Sequence, residues 1–464
     1  MTIHNLSYIP RLTAGLLQYA QDDLHLLLDP EMPGWAVVNP TGMEIVRLCD
    51  GVRDIQAIAA LLVQKYQIPE ERARQDVLSY IHKLASAGLL RSDADESAEQ
   101  GFDMASPIQP EQQMPALKGI YLHVTDKCNL RCKHCYAAGT RLDGSLSFKT
   151  ICRLIDQLVQ MGGDSLAISG GEPLLRRDIK QILAYASGNV RTVLLTNGIL
   201  VDEEMVGFLS DLGVYVQISL DGMSRSVHEG IRGEGTFQPT MRAIELFLAR
   251  NMEKRLALSV SITKSNLMEV PELIEFALRS GISQVNMRPV VAQGNASLNW
   301  EQINPTPEEY EQLFDELYPL YFEHREELII RGCFIDFIFG TLADPQNGGC
   351  PAGEKLMVDS NGDVYPCSMI SHPDYRLGNI RHGSLSDIQS SPELKQMYQQ
   401  FACRIERIAK CQACQWRGFC RAACPGVALW QKGTIWDIDD LCDVRADLYS
   451  KLIFKYAEEL HGIS

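Results

Sequence analysis

The feature that most limits how this chain can fold is a repeated strand-then-helix pattern between residues 119 and 290. Six short β-rich runs recur there, and helix-length amphipathic segments separate them. The runs cover residues 119–125, 164–170, 190–196, 214–220, 256–263 and 283–290. Because strands joined through helices pair in parallel, this spacing predicts an α/β fold with a partial (β/α)6 barrel of the TIM type.

Further units flank the predicted barrel on both sides. The first combines two strand-like runs, HLLLDP (25–30) and GWAVVNP (34–40), with three helical patterns and predicts a winged-helix-like domain. An acidic, aperiodic segment containing Gln and Pro follows as a linker. The C-terminal unit is rich in cysteine and poor in long periodic elements. The predicted boundaries are 1–92 for the first domain, 93–117 for the linker, 118–315 for the barrel, 316–349 for a helical connector and 350–464 for the Cys-rich domain.

Composition excludes several classes of protein. The 464 residues are 45% hydrophobic and 22% charged, which is typical of globular chains and not of disordered ones. The net charge of −16 has the wrong sign for a non-specific nucleic-acid binder. The N-terminus lacks a signal-peptide pattern, and Arg331 and Asp336 interrupt the apolar stretch from Leu328 to Ala343. We therefore expect a soluble cytoplasmic protein without nucleic-acid or membrane partners.

Three of the fourteen cysteines, Cys128, Cys132 and Cys135, directly follow the first predicted barrel strand. In a reducing cytoplasm such cysteines point to metal ligation or catalysis and not to disulfides. Three thiolates are too few to close a tetrahedral zinc site or to ligate every iron of a four-iron cluster. The spacing therefore indicates an open metal position, with a zinc site completed by His134 or His123 as the alternative.

Small polar motifs follow the next three predicted strands. These are SGGEP (169–173), TNG (196–198) and SLDG (219–222). Taken singly, each has a structural explanation as a tight turn, a positive-φ loop or a helix cap. Since the carboxyl ends of barrel strands meet on one face, the motifs together with the cysteine loop predict a single site.

The segment CNLRCKHCY followed by SGGEP resembles the radical S-adenosylmethionine (SAM) superfamily, whose signature is CxxxCxxC on a six-unit partial barrel; the resemblance spans residues 118–310. It implies that Cys128, Cys132 and Cys135 hold a [4Fe–4S] cluster whose free iron chelates SAM. Reductive cleavage of SAM then yields a 5′-deoxyadenosyl radical that abstracts hydrogen from a C–H bond. The implied roles are Gly170, Gly171 and Glu172 at the SAM amino group, Ser219 and Asp221 near the ribose, Tyr136 and His134 beside the cluster, Asn197 as a hydrogen-bonding partner of SAM, and Arg232 at its carboxylate. The sequence identifies no general base.

A second cysteine pattern occupies the C-terminal unit. It comprises Cys350, Cys367, Cys411, Cys414, Cys420, Cys424 and Cys442, and Asn361-Gly362 predicts a hairpin turn that presents Cys367. Seven cysteines exceed one tetrahedral zinc site and fall one short of two. The pattern resembles the SPASM extension of radical SAM enzymes, which implies two auxiliary [4Fe–4S] clusters that accept electrons, bind a substrate thiol or only stabilise the domain. One cluster would use Cys411, Cys414, Cys420 and Cys442, and the other Cys350, Cys367 and Cys424, its fourth ligand being Cys333, Cys403, a substrate thiol or solvent. Ser368 stands where sulfatase-maturing relatives carry an aspartate base, which disfavours formylglycine formation.

Residues 1–92 resemble the small peptide chaperone of pyrroloquinoline quinone biosynthesis through WAVVNPTGMEIVRLCDG and HKLASAGLL. This resemblance implies that a leader peptide adds as a strand to the small sheet. A winged helix for DNA binding or dimerisation is the alternative. We therefore expect a radical SAM/SPASM maturase that cross-links a ribosomally made precursor peptide, by a thioether or otherwise a C–C bond, with electrons from a flavodoxin or ferredoxin. The alternatives are a non-peptide substrate such as a tetrapyrrole side chain, and a non-catalytic iron–sulfur protein.

Overall fold

The structure is a computed structural model that describes residues 5–30, 33–91, 115–140, 145–332, 334–344 and 350–461. The strands are β1 (Leu17–Gln21), β2 (Leu24–Asp29), β3 (Gly34–Val38), β4 (Gly119–Thr125), β5 (Ser165–Gly170), β6 (Arg191–Thr196), β7 (Tyr215–Ser219), β8 (Leu256–Ile262), β9 (Gln284–Pro289), β10 (Ile329–Arg331), β11 (Lys355–Val358), β12 (Asp363–Tyr365) and β13 (Gly378–Asn379). The helices are α1 (Pro40–Leu48), α2 (Ile55–Tyr66), α3 (Glu70–Ser86), α4 (Phe148–Gln160), α5 (Ile179–Ser187), α6 (Glu203–Asp211), α7 (Arg225–Arg232), α8 (Phe237–Ala249), α9 (Val270–Arg279), α10 (Asn295–Leu298), α11 (Trp300–Ile303), α12 (Pro307–His324), α13 (Phe334–Ala343), α14 (Leu385–Gln389), α15 (Pro392–Ala402), α16 (Arg404–Arg407), α17 (Ala409–Gln412), α18 (Arg417–Cys420), α19 (Pro425–Lys432) and α20 (Cys442–His461).

The large sheet has the order β10-β9-β8-β7-β6-β5-β4-β11-β12-β13. The six runs predicted from the sequence are β4 to β9, each within one residue of its expected ends, and neighbouring strands pair in parallel. Leu, Ile and Val side chains of these strands are buried because helices cover the sheet. The predicted α/β partial barrel is confirmed, with β10 and β13 at its edges.

The C-terminal unit contributes strands to the same sheet. β11 pairs in parallel with β4, in the register Lys355↔Gly119 to Val358↔Leu122, and β12 returns antiparallel to β11. The hairpin predicted at Asn361-Gly362 is present and leads to Cys367, but its loop is longer than the two residues predicted and runs over residues 359–362, between the end of β11 and the start of β12. Asp359 Oδ1 accepts the Asn361 and Asp363 N–H groups at 2.9 Å each, which closes this longer loop.

The connector predicted to be helical contains a strand as well as helices. α12 ends at His324, β10 then pairs in parallel with β9, and α13 follows. Since β10 is only three residues long, its alternation is too short to be recognised in the sequence. Among the described residues, no helix combines the length and the apolar character that a membrane crossing requires.

The N-terminal unit packs its antiparallel sheet β1-β2-β3 between two cores. Because strand side chains alternate between faces, Leu27 joins the core under α1 to α3, whereas Leu28 joins the core of the barrel and C-terminal unit. The Trp35 Nε1–H donates to the Leu342 carbonyl of α13 at 3.0 Å, and its ring lies beside Tyr456 of α20. The sequence predicted β2 and β3 but neither β1 nor this docking.

The contribution of each face of the N-terminal sheet can be measured with two adjacent leucines of β2 that are both fully buried, Leu27 and Leu28. We expect Leu28→Ala and Leu27→Ala each to lower the free energy of unfolding by about 2–5 kcal/mol. Only Leu28→Ala should also speed amide hydrogen exchange in α20, because only Leu28 faces the rest of the chain. Equal exchange of α20 in the two variants, measured by mass spectrometry, contradicts the docking described here.

Candidate active site and auxiliary cysteine sites

Cys128, Cys132 and Cys135 lie on one loop between β4 and a short 3-10 helix. The Leu130 N–H donates to Cys128 Sγ at 3.4 Å, and the Asn295 side-chain amide donates to the Cys132 carbonyl at 3.0 Å. The pKa of the Cys132 thiol is raised to about 11, chiefly by burial; the nearby Arg232 charge opposes the rise, and negative charge on Asp221, Cys135 and Cys128 adds to it. The three thiols are therefore electrostatic neighbours beside one guanidinium.

The turn after β5 packs directly on the start of this loop. The Gly171 N–H donates to the Thr125 carbonyl at 2.7 Å, and the Glu172 N–H donates to the Lys127 carbonyl at 2.8 Å. A Cβ at Gly171 would lie 2.2 Å from the Lys127 carbonyl oxygen, and one at Gly170, where φ is +129°, 2.2 Å from that of Thr125. Only glycine permits this approach of two backbones.

The Glu172 carboxylate connects the ends of two neighbouring strands. The side chain is buried; its carboxylate accepts the Thr196 hydroxyl at 2.8 Å and the Asn197 N–H at 2.9 Å. Burial raises the pKa of Glu172, and these hydrogen bonds oppose that shift. Because its oxygens join the ends of β5 and β6, we expect the main chain of this turn, and not the carboxylate, to contact the SAM amino group. The Asn197 amide donates to Asn129 Oδ1 at 2.9 Å and so holds the cysteine loop.

Asp221, at the end of the β7 segment, is completely buried and anchors a network of ion pairs and hydrogen bonds. Its Oδ2 lies 2.8 Å from His134 Nε2 and 2.7 Å from Arg232 Nε, and its Oδ1 accepts the Ser261 N–H at 2.9 Å. Arg232 Nη1 is in turn 4.0 Å from Cys132 Sγ. The sequence predicted Asp221 near the SAM ribose, but its position favours a role in orienting Arg232 and His134. Half-buried Ser219 stays the candidate for direct contact with the ribose.

Tyr136 closes the other side of the loop. Its hydroxyl lies 3.0 Å from His123 Nε2 and 3.4 Å from the Tyr121 hydroxyl. Burial lowers the pKa of His123 to about 4, so this imidazole is neutral at pH 7.

Two histidines were considered as ligands of an alternative zinc site, His123 and His134. In each of them Nε2 already forms a hydrogen bond with another side chain of the protein. In the described part of the chain, no three or more His, Cys, Asp or Glu side chains surround a single metal position. A tetrahedral zinc site requires such convergence, whereas a cluster binds each cysteine to a different iron.

The C-terminal cysteines form two groups, and the first is the four-cysteine set Cys411, Cys414, Cys420 and Cys442. All four line one cavity of about 630 Å³ that also includes Leu17 of β1 in the N-terminal unit. Burial first, and then the negative charges of Cys420, Cys442 and Cys414, raise the pKa of Cys411 to about 12.

The second group is the three-cysteine set Cys350, Cys367 and Cys424. Burial first, and then the Cys424 charge, raise the pKa of Cys367 to about 12, and Arg288 at the end of β9 opposes this rise. Arg288 also lowers the pKa of Tyr136, which burial raises, so this set and the cysteine loop face the same end of the sheet. The groups match those that the resemblance implies, and ligation stays a prediction.

The fourth ligand of the three-cysteine set remains open among the candidates. Cys403 donates to the Gln400 carbonyl of its own helix at 3.5 Å. Cys333 lies outside the described residues, and Ser368 is half-buried beside Cys367.

Comparison with known proteins identifies the family. A family model for the radical SAM superfamily matches residues 122–277, one for coenzyme PQQ synthesis protein D (PqqD) residues 25–90, and one for the SPASM iron-sulfur cluster-binding domain residues 350–415. Mycofactocin maturase MftC of Mycolicibacterium smegmatis is 30% identical over 312 residues, which cover 65% of this chain and 76% of MftC. The chain belongs to the radical SAM superfamily. An AdoMet-dependent heme synthase of Oleidesulfovibrio alaskensis is 27% identical over 340 residues, or 68% of this chain and 85% of the synthase.

Solved structures share the fold of this radical SAM enzyme. Native anSMEcpe with bound AdoMet aligns with a TM-score of 0.63 at 19% identity, over 75% of this chain and 100% of anSMEcpe. Streptococcus suis SuiB bound to precursor peptide SuiA aligns with a TM-score of 0.58 at 16% identity, over 93% of this chain and 99% of SuiB. The longer SuiB alignment shows that most of the chain follows one architecture.

Membership implies SAM, a [4Fe–4S] cluster and auxiliary iron–sulfur clusters as cofactors, and the residues present fit them. The cysteine loop offers soft thiolate donors beside the buried Arg232 charge, and the glycine turn holds the start of that loop through two main-chain hydrogen bonds. His134 Nδ1 is buried without a hydrogen-bond partner among the described residues, and a bound cofactor can satisfy it. The four-cysteine set supplies the ligand number of one cluster.

Sequence reasoning missed the network behind this site. His228 accepts the Asp221 N–H through Nδ1 at 3.3 Å, and the Asn266 side-chain amide donates to the Asp221 carbonyl at 2.8 Å. A signal existed in HEGIRG, since His228 and Arg232 are four residues apart and share one face of α7. Asn266 is 45 residues from Asp221 and gave no local signal.

The glycine turn provides a direct test of the site. We expect Gly171→Ala to reduce 5′-deoxyadenosine formation about 100-fold, because the new Cβ displaces the cysteine loop. Gly188→Ala is the matched control, since its Cβ would meet its nearest neighbour at 3.4 Å. Chromatographic assay of 5′-deoxyadenosine in reconstituted, dithionite-reduced protein measures both, and wild-type activity in Gly171→Ala contradicts the assignment.

Proposed function

We propose that this radical SAM enzyme matures a ribosomally made precursor peptide, which it binds through its N-terminal unit and cross-links oxidatively. The observation that carries the proposal is the docking of that unit onto the Cys-rich domain. Trp35 contacts α13 and α20, and the Tyr19 hydroxyl hydrogen-bonds Gln415 of the C-terminal unit. A peptide held by residues 5–91 is therefore held next to the redox domain of the same molecule.

The relatives support this assignment. MftC is named a maturase, and the SuiB structure contains a precursor peptide. The heme synthase similarity supports modification of a tetrapyrrole side chain as a second candidate. We favour the peptide because the PqqD match adds a peptide-recognition unit for which a tetrapyrrole gives no role.

We place the leader peptide at the outer edge of β3, beside α3. Among the described residues, β3 pairs with a strand on one edge only, the edge that faces β2. At its other edge, the Lys83 ammonium of α3 donates to the Val37 carbonyl at 2.7 Å. A lysine side chain is easily displaced, so this carbonyl can accept from an added strand. The opposite edge, β1, lies against the C-terminal unit through Tyr19.

In this proposal, each group of residues has a separate role. When bound, the radical SAM cluster and SAM supply a hydrogen-abstracting 5′-deoxyadenosyl radical, and two auxiliary clusters supply an electron acceptor. Cys128, Cys132 and Cys135 hold the first cluster, Arg232 binds the SAM carboxylate, and Asp221 fixes Arg232 in place. The two C-terminal cysteine sets hold the auxiliary clusters. An external one-electron donor such as flavodoxin or ferredoxin, in the cytoplasm, provides the initiating electron.

The decisive experiment is anaerobic turnover of a candidate precursor peptide, chosen from any small open reading frame found beside this gene. With SAM and reductant, we expect the peptide to lose the mass of two hydrogen atoms by mass spectrometry, since a cross-link replaces two bonds to hydrogen. After treatment with a thiol reductant to exclude a disulfide, loss of iodoacetamide labelling of a peptide cysteine identifies a thioether, and retained labelling identifies a C–C bond.

The matched control is Cys128Ala/Cys132Ala/Cys135Ala, which should form neither 5′-deoxyadenosine nor product. If wild type consumes SAM with Fe-coproporphyrin and not with the peptide, the tetrapyrrole candidate is correct. If wild type forms no 5′-deoxyadenosine with either substrate, the catalytic role is wrong.

The leader site is tested by hydrogen exchange of the full chain with and without precursor. We expect the amides of β3 to gain protection on peptide binding, because an added strand occupies their free edge. The amides of β1 serve as the internal control and should not change. Protection of β1 alone contradicts the placement at β3.

A further inference from the structure

The segment between Cys420 and Cys424 has an unusual backbone. Arg421, Ala422 and Ala423 lie consecutively in the left-handed region, with φ of 48°, 62° and 52°. Residues with a Cβ disfavour this region, and runs of it are rarer than single residues. The segment joins the four-cysteine set to the three-cysteine set, so its conformation fixes the spacing between them.

One buried side chain holds this segment. Arg404 is 1% exposed, and its Nη1 donates to the Ala422 carbonyl at 2.8 Å and to the Ala423 carbonyl at 3.0 Å. Its Nε donates to the Ile435 carbonyl at 2.7 Å, and its Nη2 to the Asp437 carbonyl at 2.8 Å. The guanidinium thus connects the left-handed segment to the chain that leads into α20.

Arg404 carries a buried charge without a carboxylate partner. No Asp or Glu of the described residues forms an ion pair with it, whereas the other buried arginine of this unit, Arg445, pairs with Asp439 at 2.8 Å. Burial lowers the pKa of Arg404, and negative charge on Cys424, Cys350, Cys411 and, last, Asp439 raises it, so its electrostatic neighbours include both cysteine sets. A buried charge requires compensation, and anionic clusters on these cysteines provide it.

We propose that Arg404 is a positioning residue shared by the two auxiliary clusters: it holds the left-handed segment Arg421–Ala423 and supplies the positive charge that both clusters face. The inference rests on the proposed function only in that the two cysteine sets hold clusters. A cluster bound by thiolates becomes more negative on reduction, so a buried cation favours the reduced form and raises its midpoint potential.

The test is an EPR-monitored redox titration of the full, reconstituted chain. We expect Arg404→Gln to lower the midpoint potentials of the auxiliary clusters and to leave that of the radical SAM cluster unchanged, and Arg404→Lys to stay close to wild type because the charge remains. Arg407→Gln is the matched control, since this exposed arginine lies on the same helix, over the Trp436 ring, where solvent screens its charge. Auxiliary potentials that are unshifted in Arg404→Gln, or lowered equally in Arg404→Lys, overturn the inference.

If Arg404→Gln loses its auxiliary clusters, their potentials cannot be measured, and the iron content of the variants is measured instead. Adding Ala423→Gly, which accepts the left-handed backbone without a Cβ, should then restore iron binding, and failure to do so overturns the positioning role. Iron and sulfide analysis of wild type separates the two proposals. A wild type without auxiliary clusters overturns the cluster assignment of the proposed function, whereas a wild type with clusters and an unshifted Arg404→Gln overturns this inference alone.

Discussion

The parallel pairing of β11 with β4 is the contact on which the arrangement of this enzyme depends. β4 leads directly into the loop of Cys128, and β11 begins the hairpin that leads to Cys367, so one ladder of hydrogen bonds carries both. The Ser360 hydroxyl at the hairpin loop donates to Asp126 Oδ2 at 2.5 Å, which joins the two loops directly. The Cys-rich unit is therefore continuous with the barrel sheet and cannot move as an independent body without breaking that ladder.

Buried charge is the second organising principle of the molecule. Asp221 pairs with Arg232 and His134 behind the cysteine loop, and Arg445 pairs with Asp439 beside the four-cysteine set. Such pairs gain little net stability, because removing charges from water offsets their attraction. Their effect is positional: each fixes a cation at a set distance from thiols that burial would otherwise keep protonated. Arg404 follows the same rule with main-chain carbonyls in place of a carboxylate.

The N-terminal unit differs from a tethered binding module. Side chains of β2 and β3 are buried on both faces of its small sheet, one face under its own helices and the other towards α13 and α20, whereas β1 is largely exposed. Leu17 lines the cavity of the four-cysteine set, so β1 forms part of the wall around a proposed cluster. In the function proposed above, peptide recognition and electron transfer therefore share one continuous core, with the β3 edge as the place for an added strand.

The sequence by itself determined what depends on local spacing. The period of the strands predicted β4 to β9 within one residue, and the cysteine and glycine motifs after β4 and β5 identified the family, because ligand spacing and glycine turns are properties of short segments. Tertiary structure alone decided which distant groups meet. Asp221 meets Ser261, Arg404 meets the chain after Cys420, and Leu28 meets the core of another unit. These contacts depend on which strands pair and on which faces of the elements become buried. Because hydrophobic burial is non-directional, a local sequence pattern does not specify which distant residue a buried side chain will contact.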